Sequence, residues 1–150
     1  MRLTELLAAL IFVITFILFF AYYDTLPEII PKHFNIFGEP DSFGNKSLLW
    51  LLPILSFIFY AGFTLLARYP HKMNYPVAIT EENAYEKYKL TIKFLGVIKV
   101  LFLTLFLNLL YETIVIGLNE KTRLNIPVFL ALLIMIFLSL GIFIYRAVKK

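Results

Sequence analysis

Four stretches of this chain, residues 6–23, 47–67, 94–118 and 126–145, are apolar for about as long as a helix needs to cross a bilayer. A hydrocarbon core of about 30 Å takes about 20 helical residues at about 1.5 Å each. Backbone immersed in lipid must satisfy its own hydrogen bonds, so runs of this kind predict helices. The chain reads as an all-α integral membrane protein with four transmembrane helices and a short folded extracytoplasmic loop between the first two. With 61% hydrophobic and 17% aromatic residues in 150, and a mean hydropathy of +0.83, an ordinary soluble domain is excluded. No repeat, low-complexity tract or composition shift divides the chain, so residues 1–150 are read as one unit.

The charges read as topology signals. Arg2, Arg68, Lys72, Lys87, Lys89, Lys93, Arg146, Lys149 and Lys150 fall on one side of the spans, and Lys32, Lys46, Lys121 and Arg123 on the other. Nine against four predicts that both termini and the 68–92 loop are cytoplasmic and that the 24–46 loop is external. The net charge of +4 therefore points to membrane orientation rather than to nucleic acid. The first span is read as an uncleaved anchor, because Ala21-Tyr22-Tyr23-Asp24 offers no small-x-small cleavage site. Pro127 and Asn125 suit the first turn and cap of the fourth helix. Pro53 predicts either a later start of the second helix or a kink in it.

The 24–46 loop is rich in conformational cues. Alternation from Lys32 to Ile36 predicts an extended piece with His33 and Asn35 on one side and Phe34 and Ile36 on the other. Gly38 is free to end it with a positive φ, and Glu39-Pro40-Asp41-Ser42 matches a turn with Pro second. The apolar members Ile29, Ile30, Phe34, Ile36, Phe37 and Phe43 are expected to press on helix ends or lipid headgroups. Lys46 stands near a helix N-terminus, where a cation is disfavoured, so Asp41 or an external anion is expected to offset it. His33, Asn35, Gly38, Asp41 and Lys46 are thus candidate binding residues of a recognition or proton-responsive site. The plainer alternative is local turn chemistry beside a membrane boundary.

Chemistry-bearing motifs are sparse. There are no cysteines and only His33 and His71. His33, Asp41 and Glu39 lack repeated metal-ligand spacing, and neither a catalytic triad nor HExxH nor a phosphate loop is present. The expectation is a protein that is not an enzyme, with no cofactor.

The run Leu26-Pro27, Ile30-Pro31, His33-Phe34-Asn35, Gly38-Glu39-Pro40-Asp41 and Gly44-Asn45-Lys46, set between two spans, resembles the uncharacterised membrane domain at the N-terminus of bacterial Sdp immunity (SdpI-type) proteins. Asn74-Tyr75-Pro76-Val77, Thr80-Glu81-Glu82-Asn83 and Tyr88 resemble members of the same family. The resemblance implies a bacterial plasma-membrane protein. SdpI-type proteins protect a cell from a secreted toxic peptide, and in their signalling version hold a repressor at the membrane. This chain departs from them in having four spans and not the further transmembrane region of the immunity proteins.

In the 68–92 loop, Thr80 reads as a helix cap with Glu81 and Glu82 in the first turn. Tyr85, Tyr88, Ile92 and Leu95 recur at helical spacing, which predicts an interfacial amphipathic helix running into the third span. Within that span Lys99, Asn108 and Glu112 are costly and tend to face a bundle interior or mark a pathway. Lys99 is expected to snorkel to the inner end. Asn108 and Glu112, four apart, share one face and join the candidate site, with His33 or Lys46 as the expected partner of Glu112.

The leading expectation is a bacterial membrane protein of immunity or sensing type, which recognises a peptide toxin, lipid headgroup or partner membrane protein through the 24–46 loop. The runner-up is a transporter-like or proton-coupled component that uses Asn108 and Glu112.

Overall fold

The computed structural model describes residues 2–149, which leaves Lys150 of the orientation count outside the described residues. Helix α1 spans Arg2–Tyr22, and two strands follow, β1 at Ile29–Phe34 and β2 at Pro40–Asn45. A 3-10 turn at Lys46–Trp50 leads into α2, Leu51–Arg68. A second 3-10 turn at Pro70–Lys72 precedes α3 at Ala84–Gly117, and α4 covers Ile126–Val148. All four helices are long and apolar enough to cross a membrane. The fold is that of a multi-pass membrane protein, and four crossings put both termini at one end and the hairpin at the other.

Helix α3 is the axis of the bundle, packed against α1, α2 and α4. In its most apolar window 44% of residues are buried, against 11–17% in the other three helices. Its 34 residues make a rod of about 51 Å, well beyond a hydrocarbon core of about 30 Å. It therefore projects from the terminal end as one continuous helix, in keeping with the amphipathic segment read from Tyr85, Tyr88 and Ile92. Its start differs from expectation. Thr80 does not cap; the Asn83 side chain accepts from the Thr80 N–H at 3.0 Å and donates to the Ala78 carbonyl, closing a turn ahead of Ala84. At the same end Lys87 Nζ donates to the carbonyls of Ala147 and Lys149 at 2.8 and 3.0 Å, serving the last carbonyls of α4.

Pro53 sits in the first turn of α2, after the 3-10 turn, so the later start is the one observed; its missing N–H falls where a helix has few donors to lose. Asn125 caps α4 by accepting from the Val128 N–H. Phe59 on α2 meets Phe102 and Phe106 on α3 at 4.8 and 5.1 Å, and Phe94 stacks on Phe143 of α4 at 4.2 Å. At the hairpin end Phe19, Leu26, Ile30, Leu49, Leu110 and Ile114 form one buried cluster. Ile30 carries β1 into it, which is how a two-stranded sheet, marginal alone, is held.

The connection between α1 and α2 is an antiparallel hairpin, where a lid of one extended piece and a Pro40 turn was expected. Ile29 pairs with Asn45, Ile30 with Gly44 and Pro31 with Phe43, and the register shifts around His33. The reversal lies at 35–38, ahead of Glu39-Pro40-Asp41-Ser42, and Pro40 opens β2. Gly38 closes it with φ 80°, as its residue type allows. Its carbonyl accepts from the Leu124 N–H at 2.8 Å, and a Cβ there would lie 2.6 Å from the Leu124 oxygen. Gly38→Ala is therefore expected to combine left-handed backbone strain with a clash, at about 1–3 kcal/mol. The loss should appear as a lower thermal midpoint in detergent, with faster amide exchange at the hairpin tip than in α3; unchanged exchange at 35–39 would contradict it.

Candidate functional site

The hairpin and the 118–125 connection form a cap over the end of α3. The Asn35 Oδ1 accepts from the N–H groups of Phe37 at 2.9 Å and Glu39 at 3.0 Å, an Asx arrangement that shapes the tip. Besides the Gly38–Leu124 bond, Glu39 and Arg123 pair at 3.7 Å. The tip is thereby fixed to the α3–α4 connection while its apolar side chains stay free. Ile36 is 83% and Phe37 65% exposed, and Ile29 and Phe43 are exposed as well. Of the apolar loop residues expected to press on the helix ends, Ile30 does so fully.

The expected site residues divide into three groups. His33, Asn35, Gly38 and Asp41 come together on the hairpin, with His33 Nδ1 2.5 Å from Asp41 Oδ1 on the exposed side. Lys46 lies at its base. Its partner is Glu28, at 3.2 Å, and its Nζ also donates to the Leu26 carbonyl and lies over the Tyr23 ring. The expected Asp41 partner is taken by His33, because the strand register sets Asp41 near the tip. Asn108 and Glu112 lie on α3 outside the hairpin, and Glu112 reaches it only through the α3–α4 connection, where it accepts from Asn125 beside the Leu124 that bonds Gly38. Asn108 is half-buried, and its Oδ1 has no hydrogen-bond partner among the described residues.

Glu112 is 3% exposed, and both its oxygens accept from Lys121 Nζ at 2.8 and 2.7 Å. It also lies 3.3 Å from the Asn125 N–H. This corrects the expected His33 or Lys46 partner: the connection after α3 folds back over the helix end and brings Lys121 to the carboxylate. Lys99 is a second correction. It is 1% exposed and does not snorkel, since α1 carries Glu5 to the same depth; both Glu5 oxygens lie 2.7 Å from the ammonium. Lys99 also donates to Thr64 Oγ1 at 3.0 Å and lies 5.1 Å from the Tyr60 ring centroid. Glu5, Tyr60, Thr64 and Lys121 were missed as partners. Glu5 had a signal, as the one acid near the start of an apolar span at the level of Lys99.

The Glu5–Lys99 pair ties α1 to α3, the Lys121–Glu112 pair ties the following connection to α3, and the hairpin offers an exposed face. Such a face can bind a partner. No group of three His, Cys, Asp or Glu residues that could hold a metal occurs among the described residues.

The family model described as Domain of unknown function (DUF1648) matches residues 10–57, from within α1 through the hairpin into α2. An uncharacterised protein of Archaeoglobus fulgidus is 42% identical over 62 residues, covering 36% of this chain and 34% of that protein. The chain thus matches about a third of the length of this curated relative, which comes from outside the bacteria. No solved structure matches.

Proposed function

We propose that this chain is a bacterial plasma-membrane protein of immunity or sensing type, related to the N-terminal domain of SdpI-type proteins, with both termini cytoplasmic. It is not an enzyme; it recognises an extracytoplasmic peptide or partner membrane protein through the hairpin. One observation carries this reading: the hairpin tip is pinned to the α3–α4 connection while Ile36 and Phe37 stand exposed. A loop that only joined two helices would need neither the clamp nor the exposed apolar pair, and preorganisation of this sort lowers the ordering cost of binding. The family match at 10–57 supports it by centring on the same element.

The test is survival of a sensitive bacterial host that expresses the chain and is challenged with a secreted peptide toxin. The wild type is expected to protect, and Ile36→Ser with Phe37→Ser to lose protection at an unchanged membrane level. Protection that survives both substitutions would overturn the reading. Transport through Asn108 and Glu112 has weaker support, since Glu112 is committed to Lys121 and the two side chains form no bond. Flux into proteoliposomes that stops on Glu112→Gln would favour it instead.

A further inference from the structure

Beneath β1 a cavity of about 340 Å³ opens between the hairpin and helices α2 and α3. Its walls are apolar, with Ile30, Leu52 and Leu109 among them, and two of its polar groups lack the partners their counterparts have. The first is Lys32 at the rim. The other three cations of the hairpin end each face a carboxylate, Lys46 to Glu28, Lys121 to Glu112 and Arg123 to Glu39. Lys32 faces none among the described residues. Its stem lies across Gly44, where a Cβ would come within 3.0 Å of Lys32 Cδ, so the absence of a side chain there leaves the stem its place.

The second is Thr113, 7% exposed, which lines the cavity. Thr15, Ser56, Thr64, Thr91 and Thr104 each donate to the carbonyl four residues earlier. Thr113 makes no such bond among the described residues, and its hydroxyl opens onto the cavity, free to donate to whatever enters it. It lies about 6 Å below the end of α3, and Leu109 about 6 Å deeper. From rim to floor the order is cation, free hydroxyl donor, hydrocarbon.

We infer that this cavity binds one anionic phospholipid of the hairpin-side leaflet. Lys32 takes the phosphate-bearing headgroup, the Thr113 hydroxyl donates to an ester carbonyl, and an acyl chain fills the apolar floor. Ile30, which anchors the hairpin, forms part of the wall, so the bound lipid bears on the recognition element. The inference extends the recognition reading to a ligand class, but its readout is lipid retention and does not depend on any protection assay.

The experiment is native mass spectrometry of the full chain extracted from vesicles of equal parts phosphatidylglycerol and phosphatidylcholine with identical acyl chains. The wild type is expected to retain one phosphatidylglycerol with about fivefold preference, the scale of a partly exposed charge pair. Lys32→Gln should abolish the preference, Thr113→Val should shorten retention of both lipids, and Leu109→Trp should exclude both by filling the cavity. Lys93→Gln at the opposite end should change nothing. Glycerol phosphate, which has the head chemistry without the tails, should fail to displace the lipid. Each variant's helical circular dichroism reports whether it is folded. Equal retention of the two lipids by the wild type, or a preference that persists in folded Lys32→Gln, overturns the inference. So does displacement by glycerol phosphate, which would mark a site for a free anion.

Discussion

Glu5→Gln is expected to destabilise the bundle by about 3 kcal/mol, the lower end of the cost of stripping a buried charge of its partner. Lys99 is enclosed by α1, α2 and α3, and both Glu5 oxygens lie 2.7 Å from it. Without that carboxylate the ammonium keeps only the Thr64 hydroxyl and the face of Tyr60, enough to spare part of the cost. Lys99→Met removes the buried charge itself, and the half-exposed Glu5 can turn to water, so its cost should be clearly smaller. The double variant should then resemble Lys99→Met alone. Thermal unfolding in one detergent reads this as a fall in midpoint of about 6–12 °C for Glu5→Gln, most of it recovered by adding Lys99→Met. A double variant as unstable as the sum of the singles would show that the pair does not act as a unit.

Lys121→Met should be the second large effect, for the mirror-image reason. Here the carboxylate is the buried member and the lysine the half-exposed one. Removing Lys121 leaves Glu112 with the Asn125 N–H alone, at an expected cost of about 3 kcal/mol. Glu112→Gln, which leaves Lys121 free to reach water, should cost about half as much. The consequence extends past stability. The connection that Glu112 holds also carries Leu124, on which Gly38 sits, and Arg123, which pairs with Glu39. Amide exchange at 119–126 and at the hairpin tip should therefore rise together, by about tenfold or more for Lys121→Met, while the α2–α3 aromatic contacts keep their protection. Faster exchange in the connection with an unchanged tip would separate the two and contradict the clamp.

These pairs show which parts of the fold are legible in the sequence. The four spans are, because hydropathy over about 20 residues is a property of local sequence. So are the Asn125 cap and the positive φ of Gly38, each set by one residue's chemistry. The hairpin is not. Pro31 within β1 and the Pro-Asp-Ser-Phe-Gly-Asn composition of β2 carry turn signals and little strand propensity. What holds the strands together is tertiary: Ile30 in the bundle core and the tip fixed to Leu124. Of the candidate site, His33 and Asp41 are legible in the sequence only as polar groups of the loop, because their pairing depends on a register with a bulge. Lys99 reads as a snorkelling lysine until Glu5, 94 residues away in the chain, is brought to it.

Extracytoplasmic recognition requires the hairpin to face outward as an exposed, fixed surface. The absence of cysteine makes this directly measurable, since single cysteines can be introduced without background. Ile36→Cys at the tip and Tyr85→Cys at the terminal end, both exposed, are treated in intact bacterial cells with a membrane-impermeant maleimide. The expected result is labelling of the Ile36→Cys chain in intact cells and of the Tyr85→Cys chain only after permeabilisation. Labelling of Tyr85→Cys in intact cells, with Ile36→Cys protected until permeabilisation, would place the hairpin in the cytoplasm and contradict an extracytoplasmic recognition surface.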